Sequence, residues 1–260
     1  MPTYKLVLEY DGTRYRGWQS QKNTDRTVAA VLERAVAELT EESGVRVHGA
    51  GRTDAGVHAL AQVAHFRCRK RISPVALQYG LNDRLPPDVN VLSAEPAADD
   101  FHARHAAVAR RYVYRLSKRR TAFEKPFVWW VRDRLDPAAM RAAAGFIPGR
   151  HDFASFCENP KGQESTIVVV ASCDVEESPE KILVRIAASH FLWKMVRRIV
   201  GTVVEVGRGS FPPERVNQLL AEYSAEPARW TAPPSGLFLE SVEYGEKPAT
   251  VRGRRPSGGR

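Results

Sequence analysis

Apolar and polar positions alternate along Tyr4-Lys5-Leu6-Val7-Leu8-Glu9-Tyr10, the pattern of a strand with one buried face. Thr27 stands as a helix cap before Val28, Val31, Leu32, Val36 and Leu39, which follow the 3.6-residue period. Val45–His48 and Gln62–Arg67 are expected strands on either side of a glycine-rich stretch. Ser73-Pro74, a cap followed by proline at the first helical position, opens a short helix through Leu81, and Val89–Ala94 is a further strand. The second half has the same style. Arg110–Leu116 alternates around aromatic residues, and Asp136-Pro137 opens an Ala-rich helix towards Phe146. Ile167–Val175 and Ile182–Ala187 form a paired strand unit. Leu192, Met195, Val196, Ile199, Val200 and Val203 make an amphipathic helix, and Gly236–Glu243 is a last strand. Strands alternate with helices without the long β-α-β rhythm of a nucleotide-binding parallel sheet. The pattern predicts an α+β protein with a mixed, mainly antiparallel sheet and helices packed on one face. A boundary between halves is placed near Phe101–Ala109.

At 260 residues and 43% hydrophobic content, the chain has material for two modest domains or one large one. No run of 18 or more apolar residues occurs, so no membrane span is expected. MPTYKLVLEY has no apolar core of a secretory signal. Cys68, Cys157 and Cys173 are odd in number and far apart, which argues against a disulfide framework or a zinc site and for a reducing compartment, the cytoplasm. The net charge of +9, from 39 Lys and Arg against 30 Asp and Glu, suits a polyanionic partner. The segment 246–260 holds five cations and one acid, yet the preceding residues keep a net +5. Its Gly-, Pro- and Arg-rich composition predicts a disordered tail, either an incidental extension or a contact for the polyanion.

Candidate chemistry concentrates in HGAGRTDAGVHALAQVAHFR, residues 48–67. Its one acid, Asp54, is bracketed by Gly49, Gly51 and Gly56, with Arg52 two residues before it and His58 four after. Glycines beside a lone acid mark a backbone that turns tightly or approaches a ligand closely. Composition alone favours a surface turn in which Asp54 caps a peptide N–H. Gly49-x-Gly51-x-x-Asp54 lacks the third glycine of a dinucleotide loop, and no phosphate-binding Gly-x-x-x-x-Gly-Lys-Ser/Thr occurs. No zinc-deaminase Cys pair accompanies the histidines.

The order of further motifs decides between these readings. GRTDAGVHA-x-x-Q-V-A-H-F resembles the active-site signature of the TruA family of tRNA pseudouridine synthases. Tyr10-Asp11-Gly12-Thr13-x-Tyr15-x-Gly17-Trp18-Gln19-x-Gln21 is similar to the family's N-terminal element. Phe101-His102-Ala103-Arg104 and Arg110-Arg111-Tyr112-Val113-Tyr114 resemble its central segment. His151-Asp152-Phe153, Phe191-Leu192 with Met195-Val196-Arg197, Ile199-Val200-Gly201, Glu205-Val206-Gly207, and Ala232-Pro233 with Gly236-Leu237 complete it in order. The resemblance runs from about Tyr4 to Tyr244. It implies two similar α/β halves, 1–104 and 105–245, whose sheets join into one with a catalytic cleft between them. It also implies isomerisation of uridine to pseudouridine in the tRNA anticodon stem-loop, positions 38 to 40, by a homodimer that needs neither cofactor nor metal.

The same resemblance assigns roles. Asp54 would be the catalytic residue, either a nucleophile forming a covalent adduct or a base acting at the ribose. A carboxylate in a desolvated pocket tends to protonate, so a nearby cation is needed. Arg197 is implied as that cation, with Arg198 a rival where the family usually has a smaller polar residue. Tyr112 matches the tyrosine that stacks on the target base, and Leu237 an apolar residue on the pocket's other side. Arg52 would fill the space vacated by the flipped base or contact phosphate. His58 and Gln62 are expected to brace the loop. Arg14, Arg16, Lys22, Arg104, Arg110, Arg111 and Lys194 are candidate phosphate contacts, which give affinity and register rather than sequence choice. Two alternatives stand beside this reading: a non-catalytic RNA-binding protein, which would not need Asp54, and a synthase of the same family acting on other RNA positions.

Overall fold

The computed structural model describes residues 1–21 and 23–245. Lys22 and the tail 246–260 lie outside the described residues, and with them the expectations placed there. The first half runs β1 (Thr3–Tyr10), α1 (Val28–Thr40), β2 (His48–Gly49), β3 (His58–Arg67), α2 (Pro74–Asn82) and β4 (Val89–Ala97). The second runs β5 (Ala107–Ser117), β6 (Trp129–Trp130), α3 (Pro137–Ala144), β7 (Gly149–Asp152), β8 (Ile167–Glu177), β9 (Lys181–Ala188), α4 (Met195–Gly207), α5 (Glu214–Ala221) and β10 (Leu237–Tyr244).

The ten strands of the described residues join one sheet in the order β4-β1-β3-β10-β5-β9-β8-β7, with β2 beside β3 and β6 beside β5. Pairing is antiparallel except at β5–β6 and at β10–β3, where Phe238 and Leu239 lie opposite His58 and Ala59. The last strand thus inserts in the middle and joins the two halves. The sheet is mixed and mainly antiparallel, as the alternation predicts.

Alternation sorts the side chains by face. Tyr4, Leu6, Leu8 and Tyr10 of β1 are buried, whereas Lys5, Val7 and Glu9 between them are only partly so. The buried set packs with Val28, Leu32 and Val36 of α1 and with Leu77 and Leu81 of α2. In the same continuous core, Tyr114 and Leu116 of β5 and Val184 and Ile186 of β9 meet Met140 of α3 and Ile199 and Val203 of α4. The helices therefore cover one face of the sheet. Full burial of a side chain such as Leu6, Leu8 or Leu32 stabilises by roughly 2 kcal/mol apiece. The other face has a small apolar cluster of Ala50, Val63 and Ala103, and ion pairs such as Arg185 with Glu240 at 3.1 Å.

The caps act where the sequence places them. Thr27 accepts from the Ala30 N–H, Ser73 from that of Ala76, and Asp136 from those of Ala138 and Ala139. The expected strand Val45–His48 shrinks to His48 and Gly49. The Val47 N–H donates to the Glu33 carboxylate of α1 at 3.2 Å, so that stretch of backbone is satisfied by a side chain rather than a neighbouring strand. Cys68, Cys157 and Cys173 are unpaired and buried. Among the described residues, no helix is long and apolar enough to cross a membrane, and no group of His, Cys, Asp or Glu is arranged to hold a metal ion.

Candidate active site

Asp54 sits on the loop between β2 and β3, where β10 enters the sheet beside the start of β3. The loop closes on itself through the Val57 N–H bond to the Asp54 carbonyl (3.1 Å), with Gly56 in the left-handed region. Gln62, fully buried on β3, donates from Nε2 to the Gly51 carbonyl at 3.1 Å. The motif at residues 10–21 forms the floor. The Trp18 N–H donates to the Thr53 carbonyl (3.1 Å), and the Tyr10 hydroxyl shares a 2.8 Å hydrogen bond with the Thr53 hydroxyl. Gly17 has φ +93°, and a Cβ there would lie 2.6 Å from the Thr53 carbonyl oxygen. Only glycine serves at that position, because a side chain would be strained and would push the loop.

The second half delivers the counter-charge. Arg197, in the first turn of α4, places Nη1 3.2 Å from Asp54 Oδ2. Its Nε donates to the Ala232 carbonyl at 2.7 Å, and the Ala232 N–H donates back to the Arg197 carbonyl at 3.0 Å. Gly201 lets the helix approach this segment, since a Cβ there would lie 1.5 Å from the Trp230 carbonyl oxygen. The guanidinium is therefore fixed at both its backbone and its side chain. A cation in the first turn of a helix adds to the positive helix terminus, so both attract an anion in front of them. Arg198 points elsewhere. It is buried, donates to the Cys157 carbonyl at 2.6 Å, and pairs with the Glu158 carboxylate.

Tyr112 of β5 is buried and meets Phe191 edge-to-face, with ring centroids 5.1 Å apart. Burial, ahead of the charges of Tyr10 and Asp54, pushes its hydroxyl well above the ordinary phenol value. Burial likewise raises Tyr10 to about 12, against the lowering hydrogen bonds of Thr53 and Gln62. Both are neutral donors near neutral pH. Asp54, Arg197, Tyr112 and Leu237 all line one cleft of about 710 Å³. Six cations line it as well (Arg16, Arg52, Arg104, Arg110, Lys194 and Arg197), and Asp54 is the sole acid among the described lining residues. Such a cleft concentrates anions and directs one carboxylate into them.

The sequence profile of the tRNA pseudouridine synthase family matches residues 6–105 and 142–245. The tRNA pseudouridine synthase A of Geobacter sulfurreducens is 44% identical over 246 residues, which cover 94% of this chain and 100% of that protein. Its namesake from Nitrobacter hamburgensis is 43% identical over 247 residues, with the same coverage. That from a Thermoanaerobacter species is 40% identical over 248 residues, again 94% of this chain and all of that protein. This chain belongs to the tRNA pseudouridine synthase family. The profile leaves out residues 106–141, which include Tyr112, whereas the full-length relatives match nearly the whole chain.

The remaining candidates in this family member separate by position. Arg52 is exposed on the cleft wall and has no ion pair among the described residues. Gln62 lies directly beneath the Asp54 loop. His58 does not line the cleft. Its Nδ1 accepts from the Gly12 N–H (3.0 Å), its Nε2 reaches the Pro126 carbonyl (3.0 Å), and its ring stacks on Phe238. Burial lowers its pKa, and an Nδ1 that accepts a peptide N–H is unprotonated, so the 3.2 Å contact with Asp11 is not an ion pair. His58 thus ties the 10–21 motif to the Pro126 turn rather than contacting the Asp54 turn. Of the proposed phosphate contacts, Arg16 and Arg104 line the cleft without an ion pair among the described residues, Lys194 lines it but pairs with Glu158, and Arg14 pairs with Asp88 and Arg111 with Glu243. Arg110 is enclosed by the carbonyls of Ala50, Arg104, Ala107 and Ser189, so it is a strut between segments instead of a free cation. Sequence reasoning missed the carbonyl of Ala232 and the floor under Asp54. Both involve contacts across long sequence separations, and only the order of the motifs hints at them.

Proposed function

We propose that the protein isomerises uridine to pseudouridine in the anticodon stem-loop of tRNA, at positions 38 to 40, with Asp54 as the reacting group and no cofactor. The observation that carries this reading is the Asp54–Arg197 pair at 3.2 Å inside a cleft whose other Lys, Arg, Asp and Glu lining residues are all cations. The reaction breaks the N1–C1′ bond, turns the base and forms a C5–C1′ bond. A proton leaves C5 and N1 gains one, so nothing is oxidised and no water is consumed overall. Attack on the ribose carbon and proton removal from the ribose both use the ionised carboxylate of Asp54.

Each neighbour has a part in that step. Arg197 supplies the counter-charge and holds the carboxylate in one orientation. The target uridine reaches Asp54 only when it leaves its stack, and its base then lies between Tyr112 and Leu237. Stacking on an aromatic ring is worth about 1–3 kcal/mol, which offsets much of the unstacking cost. Arg52 occupies the gap or binds the adjoining phosphate. Arg16 and Arg104 bind the backbone, and recognition is by RNA shape more than by base edges. Cytoplasmic location and a homodimer, with tRNA crossing both subunits, belong to the same reading, and sedimentation tests the latter. A non-catalytic RNA-binding role leaves an acid aimed into a cationic cleft without purpose.

The test is to incubate the purified protein with unmodified tRNA and no added cofactor, then map pseudouridine by position. Product at positions 38 to 40 is the expected result. Product elsewhere moves the substrate assignment, and no product overturns the reading.

A further inference from the structure

Trp193 has no place in the core. It is 51% exposed, yet it lines the cleft that holds Asp54. A large aromatic ring left in water on a cleft wall is unusual, since indole burial is strongly favourable. The backbone around it is held firmly. Lys194 adopts a left-handed conformation (φ 62°), which a lysine takes only under constraint. Three contacts supply the constraint. The Glu158 N–H donates to the Trp193 carbonyl at 2.9 Å, Lys194 Nζ pairs with Glu158 at 3.0 Å, and Arg198 also binds the Glu158 carboxylate. The Lys194 ammonium lies 5.5 Å from the indole centroid. The buried Arg198, idle towards Asp54, thus helps to fix the step that exposes Trp193.

Three aromatic side chains therefore descend into the cleft. Tyr112 is buried at its inner end, Phe191 is partly buried against it, and Trp193 stands exposed at the rim. A uridine that leaves its stack to reach Tyr112 also strips a stacking partner from the nucleotide beside it. We infer that Trp193 forms a second base-binding subsite, on which the nucleobase flanking the flipped uridine stacks. The ligand class is a nucleobase within an RNA strand, a purine stacking more strongly than a pyrimidine, and the inference rests on the uridine-flipping reading above. The subsite gives this chain a preference for the neighbour of its target that phosphate contacts alone cannot supply.

The test is a cycle between protein and RNA. Full-length wild type, Trp193→Ala and Trp193→Phe are each measured with a stem-loop RNA containing the target uridine. The RNA has either its normal neighbours or an abasic site 5′ or 3′ of the uridine. With intact RNA, Trp193→Ala should weaken binding about tenfold and Trp193→Phe by less. With an abasic site on one side, wild type should lose the same factor and Trp193→Ala nothing more. Tight binding of intact RNA by Trp193→Ala overturns the inference, as does a tenfold penalty that persists with both abasic RNAs. Unchanged unfolding of the variants excludes a folding defect. Pseudouridine formation by the wild type with these RNAs is followed in parallel, so a failure of the underlying reading shows as absence of product and not as a change in the cycle.

Discussion

Asp54 rests on its own half of the molecule, whereas Arg197 is brought to it from the other. The acid's loop is closed by a turn, bonded to Gln62 on the next strand, and floored by Tyr10, Gly17 and Trp18. Gln62 lies on the strand that follows the loop, and the floor comes from β1 and the loop after it in the same half, up to 43 positions away in sequence. The cation has no such nest. It stands in the first turn of α4, and the carbonyl and N–H of Ala232 fix it. One group is placed by contacts within its own half, and the other by the way two halves join through β10. The site exists only when both halves are folded and joined.

Arg197→Ala removes the long-range member and should lower kcat for pseudouridine formation about a hundredfold, the scale of losing one preorganised charge contact. Binding of tRNA should change far less. Arg198→Ala is the control: it opens the Cys157–Glu158 contacts, should cost about 2 kcal/mol in stability by leaving buried groups unpaired, and should leave kcat within a few-fold. If Arg198→Ala inactivates and Arg197→Ala is mild, the assignment of the pair is wrong.

Tyr112 tests the wall between the two halves. Tyr112→Ala should lower kcat/KM by roughly ten- to a hundredfold through lost stacking, and Tyr112→Phe should lose only what the hydroxyl contributes. Wild-type turnover in the alanine variant removes Tyr112 from the pocket. The local support is probed by Gly17→Ala, which combines a left-handed φ with a 2.6 Å approach to Thr53. It should destabilise by about 2 kcal/mol and displace the Asp54 loop. A variant with wild-type melting temperature and turnover shows that the floor is dispensable.

What the sequence made legible divides along the same line. β1, α1 and their cap at Thr27 follow from periodicity because each is a local pattern facing one core. The loop that presents Asp54 was also visible, as glycines around one acid. Which of two adjacent arginines faces the acid was left open. The apolar stripe of α4 sets the phase, but the burial of Arg198 depends on Cys157 and Glu158, about forty residues away in the chain. The strand expected over Val45–His48 was placed too early and too long for a similar reason, since the carboxylate of Glu33 takes the Val47 N–H that a strand partner would have used. Arg110 looked like a phosphate contact because four carbonyl oxygens converging on it leave no trace in the sequence.

The smallest expected effect lies away from the cleft, in the cluster of His48, His65, His102 and His105. Burial, then the charges of His102 and His48, lowers His65 to about 4. Between the ordinary value of about 6.5 and about 4 the unfolded chain binds more protons at this site, so stability should fall as pH drops through that window. His65→Gln should show a shallower fall than wild type over the same range, measured by denaturant unfolding. Parallel curves for the two proteins contradict the assignment.

In the proposed reaction one carboxylate, held by the first half and paired by the second, performs the chemistry. Its most direct test is Asp54→Asn, which keeps the shape of the side chain and removes its charge. Pseudouridine formation in tRNA should drop at least about a thousandfold, while tRNA affinity stays within about threefold of wild type. Turnover within about tenfold of wild type contradicts the account, because the reaction then proceeds without the group around which both halves are built.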